Sequence, residues 1–252
     1  MDIVDDFSEL LEKTRQIRKH RGVPMIQEYI PGRHMQNFYV ILDRDGETKS
    51  ALCPKILRIS HRIHRNSPAA CESSISHPYL EEVIRLLKLL GWWGSATVQT
   101  KIDARDDTPK LMEINPRLGI SLWYRTELGI NSPLKCLKIA REEGVQAVQD
   151  VPVGTLLLDP VRDAMELGFE LFDLLIYKFR IGLLRKKPLD PLNQPMSMRE
   201  RVEALKENYF SDKEKIYNPT LKYFSQDPLA SVLWWLQVFV KLLRARNLKL
   251  GR

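Results

Sequence analysis

The sequence is short of the features that place a chain quickly. It has three cysteines, Cys53, Cys71 and Cys136. None forms a CxxC pair and none has a histidine at metal-ligand spacing, which excludes a zinc ribbon and a disulfide scaffold. An odd, scattered set fits reduced thiols and a cytoplasmic setting. No run reaches the roughly 18 apolar residues that a membrane-spanning helix needs. The nearest, Leu229 to Leu243, is interrupted by Ser231, Gln237 and Lys241. Met1 to Glu12 is acidic and lacks a hydrophobic signal region. Internal repeats and low-complexity tracts are missing. So are zinc-finger, RNP-like and basic-zipper patterns, and a net charge of +7 does not by itself argue for nucleic acid, which is not expected as a partner.

What is present is an ordinary globular composition. The 252 residues are 44% hydrophobic and 28% charged, enough apolar material for a substantial core in one large or two small domains. Charge is placed unevenly. Lys49, Lys55, Arg58, Arg62 and Arg65 fall in one acid-free stretch, and Lys241, Arg244, Arg246, Lys249 and Arg252 in another. Such clusters suit phosphorylated small molecules, anionic lipid or plain solvated faces.

The pattern along the chain predicts an α+β fold. Residues 6–20 read as a charged helix broken by Gly22 and Pro24. Val23 to Ile30 reads as a strand closed by Pro31-Gly32. Phe38 to Leu42 is a second strand; the turn Asp43-Arg44-Asp45-Gly46 leads into a third run ending near Ile59. Short turns imply antiparallel pairing. Residues 60–77 read as a basic surface loop. Leu80, Val83, Ile84, Leu87 and Leu90 recur at helical spacing and Gly91 stops the helix. Ala96 to Ile102 and Lys110 to Ile114 form a hairpin around Ala104-Arg105-Asp106-Asp107, and Pro133 to Glu142 is a further helix. Composition shifts near Val151-Pro152, so the division expected is residues 1–150 and a mostly helical extension over 151–252. Within that extension Asp163, Glu166, Glu170 and Asp173 line one stripe of a helix, and Met165, Phe169, Phe172 and Ile176 the other.

The most informative stretch is Lys110-Leu-Met-Glu-Ile-Asn-Pro-Arg117. Strand alternation sends Glu113 and Asn115 to one face, where both offer oxygen to a hard cation such as Mg²⁺. Pro116 ends the strand and Arg117 supplies a fixed cation with bidentate phosphate geometry. Gln99, fourteen positions before Glu113, can sit opposite it across the hairpin. The second feature is Gln27-Glu28-Tyr29-Ile30-Pro31-Gly32, a strand leaving through Pro-Gly with backbone groups free to read a nucleobase edge.

In this order the two features resemble the ATP-grasp superfamily over about residues 6–145, most closely its carbamoyl-phosphate-synthase-like carboxylate–amine ligase branch. Gly91-Trp92-Trp93-Gly94 and Gly129-Ile130-Asn131-Ser132-Pro133 add to the likeness. The resemblance implies an antiparallel-sheet C-terminal ATP-grasp subdomain that uses ATP and Mg²⁺, or Mn²⁺ in its place. Glu28, Tyr29 and Ile30 would form the adenine hinge, with Met112 packed on the ring. Gln99 and Glu113 would hold one metal ion and Glu113 and Asn115 a second. Arg117 would face the γ-phosphate or an acyl phosphate, with Arg58, Arg62 and Arg65 near the phosphates or a substrate carboxylate. The implied reaction activates a small carboxylate as an acyl phosphate for attack by an amine or similar nucleophile.

Two departures stand out. Where many relatives carry an acidic ribose ligand, this chain reads Arg33-His34-Met35-Gln36, leaving Gln36 as a weaker substitute. The Lys-bearing strand and Gly-rich loop that grip the phosphates in the family are not found before Gln27. The expectations are therefore a partial ligase, a chain completed by a separate N-terminal half or a homodimer, or a non-catalytic remnant acting as a binding module. Residues 228–252, with Trp234, Trp235 and Phe239 beside a Gln237, Lys241 and Arg244 stripe, suggest either packing on the rest of the protein or peripheral contact at the inner membrane surface.

Overall fold

The computed structural model describes residues 3–32, 35–60, 67–119, 122–148, 151–182 and 197–218, with single positions at 227, 229 and 232. Residues 183–196 and nearly all of 219–252 lie outside these, and with them the membrane contact expected of 228–252. Among the described residues no helix is long and apolar enough to cross a membrane.

The described part is α+β. Helix α1 (Phe7–Arg21) starts at Asp6, whose carboxylate accepts from the Glu9 N–H at 2.8 Å, and stops at Gly22 with φ +86°. The first sheet has strands β1 (Met35–Leu42), β2 (Thr48–Leu52), β5 (Gly94–Ile102) and β6 (Pro109–Asn115) in the order β2-β1-β5-β6, all antiparallel. The β1–β2 turn forms as expected. Asp43 accepts from the N–H groups of Asp45 and Glu47, and Gly46 takes the left-handed backbone, φ +79°, that the turn requires. Helix α2 (Leu80–Leu89) lays Leu80, Val83 and Leu87 on this sheet against Phe38, Val40, Leu42, Ala96 and Val98.

The second sheet has β3 (Lys55–Ser60), β4 (Ser67–Glu72), β7 (Leu156–Leu158) and β8 (Lys215–Tyr217) in the order β3-β4-β7-β8, with β7 and β8 parallel. Strands from both sides of residue 150 therefore share one sheet. Helices α3 (Leu122–Glu127) and α4 (Ser132–Ala140) follow β6. Tyr124, Leu128 and Ile130 join Tyr39 and Leu52 of the first sheet to Cys71 and Leu157 of the second in one core.

Three expectations change. Val23 to Ile30 forms no strand, and Val23, Met25 and Ile26 are exposed. Apolar content favours a strand only where a neighbour completes its ladder. The basic loop of 60–77 is in part strand β4, whose Ala69, Ala70 and Cys71 are buried between β3 and β7. Helix α5 (Pro160–Gly182) buries the first two acids of its stripe. Asp163 and Glu166 are buried, while Phe172, Leu175 and Phe179 are exposed. Asp163 forms a buried ion pair with Arg58 of β3 and accepts from the Tyr209 hydroxyl, at 2.8 Å, of α6 (Met198–Phe210). Arg58 thus lies against α5, paired with Asp163; Arg62 and Arg65 are outside the described residues.

Candidate functional site

The face of the first sheet turned away from α2 carries the polar groups. Odd-numbered residues of β1 and β5 point to it by strand alternation. Register pairs Asn37 with Gln99 and Gln99 with Glu113, so three side chains form a row across β1, β5 and β6. The next row is Tyr39, Thr97 and Asn115. Gln99 Nε2 donates to Asn37 Oδ1 at 2.9 Å, and Asn115 Nδ2 donates to Glu113 Oε1 at 2.8 Å. Gln99 and Asn115 each donate an amide N–H to a neighbour in the row, so their oxygens and Glu113 Oε2 take no part in these two bonds.

This donor set fits a hard cation. It is all oxygen and contains one carboxylate. Among the described residues no cluster of three or more His, Cys, Asp or Glu is placed to hold a metal ion. A single carboxylate with amide carbonyls suits an ion such as Mg²⁺, which keeps several waters and takes other ligands from phosphates.

Gln99, Glu113 and Asn115 are brought together as expected. Asn37 joins them and was missed. Its signal was an amide beside the apolar run Phe38 to Leu42, at the strand position that shares a face with Gln99; in the fold it is buried. Gln36 is not brought to the row. It lies on the opposite face, where its Nε2 donates to the Pro54 carbonyl at 3.0 Å. Met112 sits in a β-bulge: Gln99 pairs with Glu113 and Thr100 with Leu111, so Met112 has no partner across β5 and is exposed. Arg117 is exposed just past the strand, its N–H donating to the Asn115 carbonyl at 2.9 Å.

The expected hinge is latched to the β5–β6 turn. Lys101 Nζ donates to the Ile30 carbonyl at 2.5 Å and lies 5.4 Å from the centre of the Tyr29 ring. Arg105 bridges Glu28 at 2.6 Å and Asp103 at 2.5 Å. The Ala104 N–H donates to the Pro31 carbonyl at 3.2 Å. Gly32, φ +114°, comes so close that a Cβ there would lie 2.7 Å from the Ile102 carbonyl oxygen. Hydrogen bonds from Arg105 hold the Asp103 carboxyl down at about 2, and burial lowers the Lys101 ammonium below its usual value. Lys101 was not singled out by the sequence, although its spacing of two from Gln99 puts it on the same face.

No protein-family model matches the chain, and no curated protein matches it. Among solved structures it is similar to the biotin carboxylase domain of Hydrogenobacter thermophilus 2-oxoglutarate carboxylase, solved with MgADP, ADP and bicarbonate. Identity is 18% over 59% of this chain and 34% of that one, with a TM-score of 0.44. It is also similar to biotin carboxylase from Campylobacter jejuni, at 17% identity over 62% of this chain and 37% of that one, TM-score 0.46. A third is the ATPase subunit of phosphoribosylaminoimidazole carboxylase from Aquifex aeolicus, at 15% over 55% and 48%, TM-score 0.39. The chain spans about a third of the length of the first two.

Proposed function

We propose that this chain is the metal-binding portion of an ATP-grasp ligase and binds Mg-ATP on the Asn37–Gln99–Glu113 face. The observation that carries the reading is the register of β5 on β6, which sets Gln99 opposite Glu113 with Asn115 hydrogen-bonded beside it. In this reading Gln99, Glu113 and Asn115 would hold Mg²⁺, or Mn²⁺ in its place, and the ion would neutralise charge on the phosphates. Arg117 would meet the transferring phosphoryl group from the strand end. Glu28, Tyr29 and Ile30, latched by Lys101 and Arg105, would face the base.

The reaction proposed has two balanced steps. A substrate carboxylate oxygen attacks the γ-phosphorus, the bond to the β–γ bridging oxygen breaks, and ADP leaves an acyl phosphate. An amine or similar nucleophile then adds to the acyl carbon, loses its proton and expels phosphate. Phosphoryl transfer asks the protein mainly for positioning and electrostatics, which is what a fixed row of oxygen donors and an arginine supply.

One observation favours a second reading, a nucleotide-free binding module. The Ile30 carbonyl, expected to face adenine, already accepts from Lys101 Nζ. Titration calorimetry with Mg-ATP separates the two. The ligase reading expects saturable binding by the wild type, weakened at least tenfold in Glu113→Ala. Absence of binding by the wild type, or equal affinity in Glu113→Ala, overturns it in favour of the second.

A further inference from the structure

A second polar cluster lies on the same face of the first sheet, around Tyr39 and Thr97 of the row next to Asn37, Gln99 and Glu113. Arg125 on α3 is 1% exposed. Its guanidinium carbon stacks 4.9 Å from the centre of the Tyr39 ring. Its Nε and Nη2 are buried with no hydrogen-bond partner among the described residues. Thr97, the register partner of Tyr39, has a buried Oγ1 that is also unpartnered, as is the Oγ of Ser95 two positions earlier on the same face. Gly119 closes against them: a Cβ there would lie 3.3 Å from Thr97 Oγ1 and 3.5 Å from the Tyr39 ring. Cys136 of α4 touches the Ser95 backbone and lies within electrostatic reach of Arg125.

An arginine cannot shed its proton to escape burial. A buried cation without a counter-charge is strongly unfavourable, and water satisfies its hydrogen bonds but not its charge. The two unpartnered nitrogens also share a geometry. Nε–H and Nη2–H point the same way along one edge of the guanidinium, the fork that the two oxygens of a carboxylate fit. Thr97, the register partner of the Tyr39 on which Arg125 stacks, and Ser95, beside Cys136, add neutral hydroxyls with no partner of their own. The residues against these hydroxyls are small: Gly119 beside Thr97 and Cys136 beside Ser95.

We propose that Arg125, with the hydroxyls of Thr97 and Ser95, forms a binding site for a small planar oxyanion, a carboxylate or bicarbonate. Thr97 is two residues from Gln99 along β5, about 7 Å, so the anion would sit next to the Glu113 row without sharing its donors. The inference does not rest on nucleotide binding, and its test uses no nucleotide.

The test is thermal unfolding of the full chain at constant ionic strength, with sodium chloride replaced stepwise by formate, acetate or bicarbonate. Ligands that bind only the folded state raise Tm with concentration. The wild type is expected to show a saturating rise with formate or bicarbonate over chloride; acetate and bicarbonate arms tell organic from inorganic carboxylate. Arg125→Gln should lose the rise. Thr97→Val should shift the half-saturating concentration upward roughly five- to tenfold, the loss of one hydrogen bond. Arg125→Lys keeps the charge without the fork and should lose the preference over chloride, which decides the matter if Arg125→Gln does not fold. No oxyanion-specific rise in the wild type, or an unchanged preference in Arg125→Lys, overturns the proposal.

Discussion

At the scale of single residues, a few side chains carry arrangements that composition alone does not reveal. Glu113, Asn115 and Gln99 were legible, because alternation along a strand and spacing across a hairpin fix which side chains meet. Asn37 was not, because its place depends on which strand lies beside β5, and neighbours in a sheet are set by the whole fold. The partner of Arg58 was not legible for the same reason: it is Asp163, more than a hundred positions away. Asp103 gives a test at this scale. Arg105 holds it near 2, against an ordinary value near 3.8. A carboxyl depressed in the fold adds stability that is complete above its unfolded value and is lost as pH falls toward the folded one. Wild-type stability should therefore drop between about pH 4 and pH 2, with Asp103 titrating near 2 by NMR. In Arg105→Gln its titration should move up toward 3.8 and the drop should shrink. A wild-type Asp103 that titrates near 3.8 would contradict the latch.

At the scale of elements, helices and paired strands with turn signals matched the sequence reading, and unpaired or unusually buried ones did not. The hairpins β1–β2 and β5–β6 carry their own instructions in Asp43 to Gly46 and Asp103 to Asp107. Strand β4 has none: Ser67 to Glu72 is short, contains Pro68 and follows a basic stretch, and it becomes a strand because β3 and β7 flank it. Helix α5 is the other lesson. Asp163 faces inward since Arg58 and Tyr209 meet it there, an outcome that periodicity cannot distinguish from a solvated stripe. The pair predicts a specific asymmetry. Breaking a buried ion pair from one side costs about 3–5 kcal/mol, while replacing both partners by apolar residues of similar size costs far less. In urea unfolding, Asp163→Ala should lose an amount of that order, and Arg58→Met with Asp163→Leu should recover most of it. Equal losses in the two variants would show that the pair does not hold α5 on β3.

At the scale of the whole molecule, the α+β class was readable from the alternation of strand and helix periods, but the joining of the parts was not. The composition shift near residue 151 suggested a separate helical piece. The structure instead carries β7 and β8 into the sheet begun by β3 and β4, and a core of Tyr39, Leu52, Cys71, Tyr124 and Leu157 ties that sheet to the first. This shared core packs beside the Glu113 row on its own face, through Tyr39, while α2 packs on the face behind, so the row stands on strands supported from both sides, as a well-held site requires. The central claim is that this face binds a divalent ion together with a nucleotide. The most direct measurement is an electron paramagnetic resonance titration of Mn²⁺ into the protein with and without ATP. The account predicts that ATP raises the amount of protein-bound Mn²⁺ and that Glu113→Ala abolishes the increase. Mn²⁺ binding that ignores ATP, or that survives unchanged in Glu113→Ala, would contradict it.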